Sequence, residues 1–321
     1  MTDHQHLEET LPNAAPEMRL AERHAVILAG GEGSRLRSLT RFIEGDDRPK
    51  QFSRILNGRT LLDVTKARTS LLIDPANTHY SLTARHEEYF RPILEGVAEG
   101  SLHIQPANKG TAPALLFSLL RLADTSGDAV VGFFPSDHYF SDDRRMMQHV
   151  DRAYRLVESG SAEVVLLGME PLSAETSYGW IEPAESFFGN VAFSVVRVER
   201  FWEKPDGAAA AMLMSRGGLW NSFVFVGRLS TLIRQFEVNL PDLYRTLSSL
   251  RGSGFGREAV NTIYGRVKES NYSSDVLENS AEGLHVLRVS DVKWSDLGEP
   301  QRVLGTLGML GIQTEVPAYA V

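Results

Sequence analysis

Short apolar runs alternate with longer amphipathic segments along the chain, and their order predicts the fold. Residues 25–29, 129–134 and 163–168 are largely apolar and show no polar–apolar alternation. Runs of this kind are typical of strands that are buried on both faces of a parallel sheet. Amphipathic segments such as residues 141–160 lie between them. The pattern therefore predicts an α/β fold with a doubly wound, mainly parallel sheet.

The remaining predicted elements continue this alternation of strands and helices up to Met169, and the pattern changes after that residue. Further strands are predicted at residues 79–83, 102–105, 178–182, 191–198, 220–226, 284–289 and 292–297. Helices are predicted at residues 60–72, 85–96, 114–122, 141–160, 206–216, 229–250, 258–267 and 300–310. Because strands and helices mix in the second half, we expect a mixed α+β lobe on the same sheet. We expect one domain at 23–310, a loose extension at 1–22 and a tail at 311–321.

Composition narrows the class of protein. The chain has 321 residues, of which 42% are hydrophobic and 23% charged, as is usual for a globular protein. A net charge of -8 and a pI near 5.6 argue against a general nucleic-acid surface. The absence of cysteine excludes a disulfide framework, thiol catalysis and cysteine-ligated zinc. No apolar run approaches the roughly 20 residues of a membrane span, and residues 1–22 lack a signal-peptide core, so we expect a cytoplasmic protein.

The first strand runs directly into a glycine-rich turn. The sequence Gly30-Gly31-Glu32-Gly33-Ser34-Arg35 follows the apolar run 25–29. Such a turn exposes backbone N–H groups that suit phosphate oxygens, although an ordinary strand-to-helix turn has the same composition. A Walker A loop is excluded because Ser34-Arg35 stands where Lys-Ser/Thr is needed. A dinucleotide fingerprint is excluded because its third glycine would fall at Leu36.

Cations are concentrated just after this turn. Residues 34–54 contain six cations against three acids: Arg35, Arg37, Arg41, Arg48, Lys50 and Arg54, with Glu44, Asp46 and Asp47. Clustered cations beside a glycine loop suit a polyphosphate. A solvated charged loop is the alternative interpretation.

Two other features point to the same edge of the predicted sheet. Thr111 is the predicted N-cap of a buried helix, with Pro113 in its first turn. Asp137 follows the run 129–134, and ligands bind beyond the carboxyl ends of strands in open α/β sheets.

The segments 28–36 and 48–52 (Arg-Pro-Lys-Gln-Phe) resemble those of the sugar-phosphate nucleotidyltransferases, in particular the mannose-1-phosphate guanylyltransferase type. Further matching segments follow in order at residues 105–114, 135–138, 175–182, 201–205, 220–222, 274–275 and 294–298. The resemblance implies a Rossmann-like nucleotidyltransferase fold. It also implies a reaction in which GTP and mannose 1-phosphate, which is a hexose 1-phosphate, are converted to GDP-mannose and pyrophosphate.

The resemblance also implies roles for individual residues. Asp137 and Asp296 would hold Mg²⁺, while Arg35 and Lys50 would contact the phosphates; these four are the implied catalytic residues. The implied nucleotide-binding residues are Leu28, Ala29, Gly30, Gly31, Gly33, Gln105, Asn108, Gly110 and Thr111. The implied sugar-phosphate-binding residues are Gly179, Glu182, Glu203, Lys204 and Asn221. For His138, a phosphate contact and a purely structural role both stay open.

Four departures from the family pattern qualify this expectation. Ser38 replaces a usual proline, residues 41–47 look like a longer loop, Phe223 replaces a usual glycine, and Glu299-Pro300 replaces Ser-Trp. We therefore expect intact metal and phosphate machinery with an altered sugar pocket. Another nucleotide or hexose 1-phosphate, or a non-catalytic sugar-nucleotide-binding regulator, remains an alternative. We expect the transferase alone, without the isomerase domain or β-helix of some relatives, and leave a homodimer open.

Overall fold

The computed structural model describes residues 22–56, 58–185 and 195–312. The strands in this part of the chain are β1 Arg23–Leu28, β2 Thr78–Thr83, β3 Leu102–Gln105, β4 Val130–Pro135, β5 Tyr139–Phe140, β6 Val164–Met169, β7 Gly179–Pro183, β8 Val195–Glu203, β9 Leu219–Arg228, β10 Leu284–Val289 and β11 Trp294–Ser295. The α-helices are α1 Arg37–Glu44, α2 Leu61–Thr69, α3 Glu87–Ile93, α4 Thr111–Ala123, α5 Asp143–Glu158, α6 Gly207–Ser215, α7 Leu229–Asn239, α8 Pro241–Ser248, α9 Arg257–Tyr264 and α10 Pro300–Met309. None of these helices combines the length and apolar character that crossing a membrane requires.

Nine strands form one sheet in the order β3-β2-β1-β4-β9-β6-β10-β8-β7. Strands β1 to β4 are mutually parallel, and β6 is parallel to β10. Strand β9 lies antiparallel between β4 and β6, and β8 is antiparallel to β7 and β10. The predicted α/β fold is confirmed, with the mixed pairings concentrated in the second half as expected.

Each face of the sheet has its own apolar core. Ala25 and Ile27 of β1 pack with α2 and α5 on one face. Val26, between them, packs with α4 and α7 on the other face. Successive side chains of a strand point to opposite faces, so a strand covered on both sides needs an unbroken apolar run. This is the physical reason for the absence of alternation in the sequence.

The chain reverses its direction of travel across the sheet between β1 and β4. It leaves β1 for β2 and β3 on one side and returns to β4 on the other side. Leu28 and Pro135 are partners in the β1–β4 ladder, and the Ser136 N–H donates to the Leu28 carbonyl at 3.1 Å. A topological switch point of this kind leaves a crevice at the carboxyl ends of the strands.

The start of α4 corrects the predicted N-cap. Gly110, and not Thr111, occupies the cap position, with a φ of 94°. A side chain is excluded there because a Cβ atom would lie 2.2 Å from the Ser270 carbonyl oxygen. The Thr111 hydroxyl instead accepts a hydrogen bond from the Tyr272 N–H at 2.8 Å.

Three further predictions differ clearly from the structure. Residues 41–44 belong to α1 and are not part of a longer loop. The helical stretch 229–250 is two helices, because Pro241 starts α8. The expected strand 292–297 shortens to β11, which pairs with β5 in a separate two-stranded sheet. Residues 191–194, and most of the predicted extension and tail, lie outside the described residues.

Three buried histidines stack at the amino ends of β1, β2 and β3, opposite the crevice. The ring centroids of His24 and His79 are 5.3 Å apart, and those of His79 and His103 are 5.1 Å apart. Burial lowers the pKa of all three, that of His79 to about 4. The three histidines are therefore uncharged in the folded protein at neutral pH.

We expect this stack to make the protein sensitive to acid. A histidine in the unfolded chain has a pKa near 6.5, so between about pH 6.5 and 4 the unfolded state binds more protons. The free energy of unfolding should fall as pH falls through this window, by roughly 3 kcal/mol for His79 alone. Urea denaturation at pH 8, 6, 5 and 4 measures the slope. His79→Gln, which cannot be protonated, should flatten it, and an unchanged slope would contradict the assignment.

Candidate functional site

A cavity of about 360 Å³ occupies the crevice at the switch point. Its lining comes from the ends of β1 to β4 and the loops after them, the start of α4, one residue of β9 and one residue of the short helical turn 50–52: Leu28, Gly30, Gly31, Gln51, Ser81, Thr83, Gln105, Asn108, Gly110, Thr111, Ala114, Pro135, Ser136, Asp137, His138 and Phe223. Seven of the nine predicted nucleotide-binding residues are among them; Ala29 and Gly33 are not. A more open depression of about 570 Å³ between Leu71 and α5 contains none of the motif residues.

Side chains from neighbouring segments hold the glycine loop in place. The Gln51 amide donates to the carbonyls of Ala29 at 3.0 Å and Gly31 at 2.8 Å. The Thr83 hydroxyl donates to the Gly30 carbonyl at 2.9 Å. These bonds occupy the carbonyl oxygens of residues 29–31, so the N–H groups of the glycines are what this part of the loop can offer to a ligand. Our prediction did not include Gln51 or Thr83, although Gln51 lies within the matched segment 48–52.

The polar wall of the cavity is also fixed by the protein. The Gln105 amide donates to the Ser81 hydroxyl and accepts from the Tyr264 hydroxyl, each at 3.1 Å. The side-chain oxygen of Asn108 accepts from the Gly110 N–H at 3.0 Å. Because these groups are held before any ligand arrives, they can orient a polar ligand edge at low entropic cost.

Next to Asp137, which lines the cavity, Lys50 joins the segments that carry the two predicted metal ligands. Its ammonium group lies 3.2 Å from Oδ2 of Asp137. It also donates to the backbone carbonyls of Asp296 at 2.6 Å and Leu297 at 3.1 Å. An ammonium group has three donors, and here three protein oxygens receive them. The predicted phosphate contact of Lys50 stays a prediction.

The carboxylate of Asp296 is held through one of its two oxygens. Oδ1 accepts from the Gly298 N–H at 2.9 Å, Arg302 Nη1 at 2.9 Å and the Tyr178 hydroxyl at 3.1 Å. No donor reaches Oδ2 within the described residues, and a Cβ atom on Gly298 would lie 2.3 Å from it. Burial acts to raise the pKa of Asp296, but its electrostatic interactions with His138, with the Arg302 guanidinium and with the Lys50 ammonium outweigh burial and lower that pKa. Asp296 is therefore ionised at neutral pH.

Arg302 connects Asp296 to the loop that carries Glu175 and Ser177, and it is not among the predicted site residues. Besides Asp296, its guanidinium contacts the Glu175 carboxylate at 3.0 Å and the Ser177 hydroxyl at 2.5 Å. The guanidinium carbon lies 4.4 Å from the centre of the Tyr178 ring. No local signal marks Arg302, because it stands in the first turn of α10 and more than 120 residues separate it from Ser177.

His138 also lines the cavity and is packed into the protein. Its Nδ1 atom accepts from the indole of Trp294 at 3.3 Å, and its Nε2 atom lies 3.7 Å from Asp137 Oδ1. Burial lowers its pKa despite that carboxylate. These contacts support the structural role, while the neighbouring Asp137 leaves a ligand contact open.

Four of the five predicted sugar-binding residues lie close together, on the neighbouring strands β7, β8 and β9 or, for Lys204, directly after β8. Gly179 pairs with Glu203 in the β7–β8 ladder, and Trp180 pairs with Trp220, which precedes Asn221. The Lys204 ammonium is 3.3 Å from a Glu203 oxygen. The register thus brings Gly179, Glu203, Lys204 and Asn221 together.

Glu182 is separate from this group. It lies on the other face of β7 from Gly179, because it is three residues further along the strand. Its carboxylate accepts from the Trp202 indole at 3.0 Å and lies 3.8 Å from Arg216. The structure gives it a packing partner, and its sugar contact stays a prediction.

Arg35 lies outside the cavity. It stands on a short helical turn, Ser34–Leu36, with 63% of its side chain exposed and Glu299 3.8 Å away. Three of the other cations nearby are paired with the local acids: Arg41 with Asp47, Arg48 with Asp46, and Arg54 with Glu44. Arg35 is therefore one of the cations in this stretch whose positive charge remains available to a ligand.

Strained backbone conformations occur at or next to several of the predicted site residues. Five non-glycine residues in the described ranges have a positive φ, and three of them are Lys204, Phe223 and Leu297. Such conformations are costly and cluster at functional sites. Leu297 lies between Asp296 and Gly298, and its strained peptide carries the carbonyl that Lys50 binds.

With this geometry established, comparison with known proteins identifies the family. The family model described as nucleotidyl transferase matches residues 24–306. The chain belongs to the nucleotidyl transferase family. This membership confirms the resemblance on which the residue roles were based.

Curated relatives cover the same part of this nucleotidyl transferase chain. It is 29% identical over 285 residues to the xanthan biosynthesis protein XanB of Xanthomonas campestris pv. campestris, covering 85% of this chain and 57% of that protein. It is 29% identical over 283 residues to the mannose-1-phosphate guanylyltransferase of Sinorhizobium fredii, covering 85% of this chain and 52% of that protein. The chain thus spans about half the length of these relatives.

Solved structures agree with the observed fold. A structure described as mannose-1-phosphate geranyltransferase from Thermus thermophilus is 29% identical, with a TM-score of 0.74, and covers 86% of this chain and 76% of that chain. A UDP-glucose pyrophosphorylase complexed with UDP-glucose is 14% identical, with a TM-score of 0.54, and covers 91% of this chain and 98% of that chain. The second likeness concerns the fold alone.

We expect Arg302→Met to destabilise the protein. The change leaves the carboxylates of Asp296 and Glu175 without their shared cation. Breaking a fully buried pair costs about 3–5 kcal/mol, and because these groups are partly exposed, we expect a loss near the lower end of that range. The free energy of unfolding at pH 7 from urea denaturation measures the loss. The loss should shrink at low pH, where both carboxylates become protonated.

Arg216→Met provides the matched control. Arg216 is 65% exposed and lies 3.8 Å from its nearest carboxylate, so its removal should cost less than about 1 kcal/mol. Equal losses for the two variants would contradict the special position of Arg302.

Proposed function

We propose that this nucleotidyl transferase moves a guanylyl group from GTP to mannose 1-phosphate, producing GDP-mannose and pyrophosphate. The observation that carries the proposal is the contact of Lys50 with Asp137 and the Asp296–Leu297 peptides at the end of a cavity that the glycine loop lines. Supporting it are the family membership and relatives named mannose-1-phosphate guanylyltransferase.

The arrangement suits an in-line displacement at phosphorus. The nucleoside would occupy the cavity, which directs its α-phosphate toward Asp137. The sugar phosphate would approach from Glu203, Lys204 and Asn221. One of its phosphate oxygens forms the new bond to the α-phosphorus while the bond to the β-phosphate oxygen breaks, and pyrophosphate leaves. Positioning and charge neutralisation supply most of the catalysis in such reactions.

Asp137 and Asp296 fit a hard divalent cation such as Mg²⁺. No group of three or more histidine, aspartate or glutamate residues suited to a metal occurs in the described ranges. A site of one or two carboxylates completed by substrate phosphates is what Mg²⁺ commonly uses. The three donors on Oδ1 of Asp296 leave Oδ2 for that purpose. When bound, the ion would neutralise charge on the phosphates.

The cations of the site have complementary roles in this proposal. Lys50 holds the two carboxylate-bearing segments together and places its positive charge beside the phosphates. Arg35 is exposed and can turn from Glu299 to the leaving pyrophosphate. Lys204 would bind the phosphate of the sugar substrate.

A matrix of nucleoside triphosphates against hexose 1-phosphates, with Mg²⁺, tests the proposal. We expect the fastest pyrophosphate release with GTP and mannose 1-phosphate. A different best pair would replace the proposed substrates within the same reaction class. No pyrophosphate from any pair would contradict the enzymatic function and favour the sugar-nucleotide-binding regulator.

We expect Asp296→Asn to lower kcat by about 10²–10³, the usual cost of losing one strong electrostatic group at a transferring centre. Steady-state kinetics at saturating substrates measures the effect, and urea denaturation confirms folding. Asp291→Asn is the matched control, because Asp291 is five residues away and 79% exposed. A folded Asp296→Asn variant with the wild-type rate would remove Asp296 from the site.

A further inference from the structure

Phe223 lies at the tip of a bulge in β9. Leu166 of β6 pairs with Phe225, but Gly168 pairs with Asn221, so three residues of β9 face the single residue Leu167. The Ser222 hydroxyl closes the gap by donating to the Leu167 carbonyl at 2.6 Å and accepting from the Val224 N–H at 3.2 Å. A bulge of this kind turns a side chain away from its regular direction in the sheet.

The backbone of Phe223 is strained. Its φ is 57°, in the left-handed region that glycine adopts freely and a bulky residue does not. Asn221 stabilises the turn, since its side-chain oxygen accepts from the Phe223 N–H at 3.1 Å. The sequence resemblance predicts glycine at this position, and a glycine would avoid the strain. A strained residue that persists in a site is a reason to look for a function.

The ring of Phe223 is supported from behind and open in front. It meets the rings of Phe225 and Tyr272 edge-on, at centroid distances of 6.0 and 6.4 Å. Tyr272 is fully buried and stacks on Phe225 at 5.3 Å, so this support is rigid. The residue is only partly buried, and it lines the cavity together with Ala114 and Asp137.

The position of the ring indicates which part of a ligand it meets. The β4–β9 ladder ends at Phe133–Phe225, so Phe223 lies beyond it, near the turn that carries Asp137. None of the predicted sugar-binding residues lines this cavity, whereas most of the predicted nucleotide-binding residues do. The ring of Phe223 therefore faces the cavity of the predicted nucleotide-binding residues, whereas we expected Phe223 to alter the sugar pocket.

We propose that Phe223 is a specificity-determining residue whose ring packs against the nucleoside part of the bound nucleoside triphosphate. The proposal rests on the proposed function for the identity of the ligand. An aromatic ring offers a flat apolar surface to the base and ribose, while the fixed amides of Gln105 and Asn108 address polar edges. The strained backbone at Phe223 places a rigid aromatic ring in the wall of the cavity.

Equilibrium binding of GTP, ATP, UTP and CTP, measured by calorimetry without sugar phosphate, tests the proposal. Phe223→Gly should weaken the best-bound nucleotide by roughly 10-fold or more, the usual effect of removing a stacking aromatic group, with Phe223→Leu in between. Phe255→Gly is the matched control. Phe255 also has a φ of 57° and also packs edge-on against another aromatic ring, Phe117 at 5.7 Å, but it does not line this cavity. Its variant should keep the wild-type affinity.

Wild-type affinity in Phe223→Gly, an equal loss in both glycine variants, or no nucleotide binding by the wild type would each overturn the proposal. The substrate matrix for the wild-type protein tests the proposed function separately. If another nucleotide than GTP binds best, the proposed substrate fails, and the ratio of affinities for that nucleotide still decides the role of Phe223.

Discussion

The ammonium group of Lys50 connects three parts of the chain that are far apart in sequence. It binds the Asp137 carboxylate beyond β4 and the two peptide carbonyls of Asp296 and Leu297 beyond β11. Its side chain is only 10% exposed, so water screens these interactions weakly. Lys50 therefore places one positive charge near the carboxylates of both Asp137 and Asp296 before any ligand binds. The arrangement of the site depends on this contact.

A second group of contacts fixes the Asp296 segment from the other side. Arg302 places one guanidinium between Asp296 and Glu175, and the Tyr178 ring lies against it. Leu297 is fully buried with Leu36 and Val303, which ties the segment to the turn that carries Arg35. Polar contacts aim the carboxylate and apolar contacts hold its backbone, which is how a precise site is kept on a short segment.

Two residues near the site have strained backbone conformations that their neighbours stabilise. Leu297 and Phe223 adopt a left-handed backbone; Leu297 contacts Lys50, and Phe223 lines the cavity. Their surroundings determine these conformations: Lys50 binds the carbonyl of Leu297, and Asn221 binds the N–H of Phe223. The well-packed cores on the two faces of the sheet supply the stability that permits such local cost.

Much of the fold and part of the site follow from sequence, because they depend on local patterns. Unbroken apolar runs such as 129–134 require burial on both faces, so the doubly wound sheet and the placement of Asp137 could be predicted. The glycine loop and the cation-rich stretch after it were also visible as composition. Even so, the N-cap at Gly110 was missed, since only the nearby Ser270 carbonyl shows why a side chain cannot stand there.

The tertiary structure decided which side chains meet. Arg302 carries no local signal, and its partners Glu175 and Ser177 lie on a loop more than a hundred residues away. The direction of Phe223 depends on a bulge between β6 and β9, which no single-strand pattern reveals. By itself, the sequence determined which segments are buried and where polar turns end them. The meeting of Lys50, Asp137 and Asp296 required strand order and register, because distance in space between such residues is set by packing across the sheet and not by their spacing along the chain.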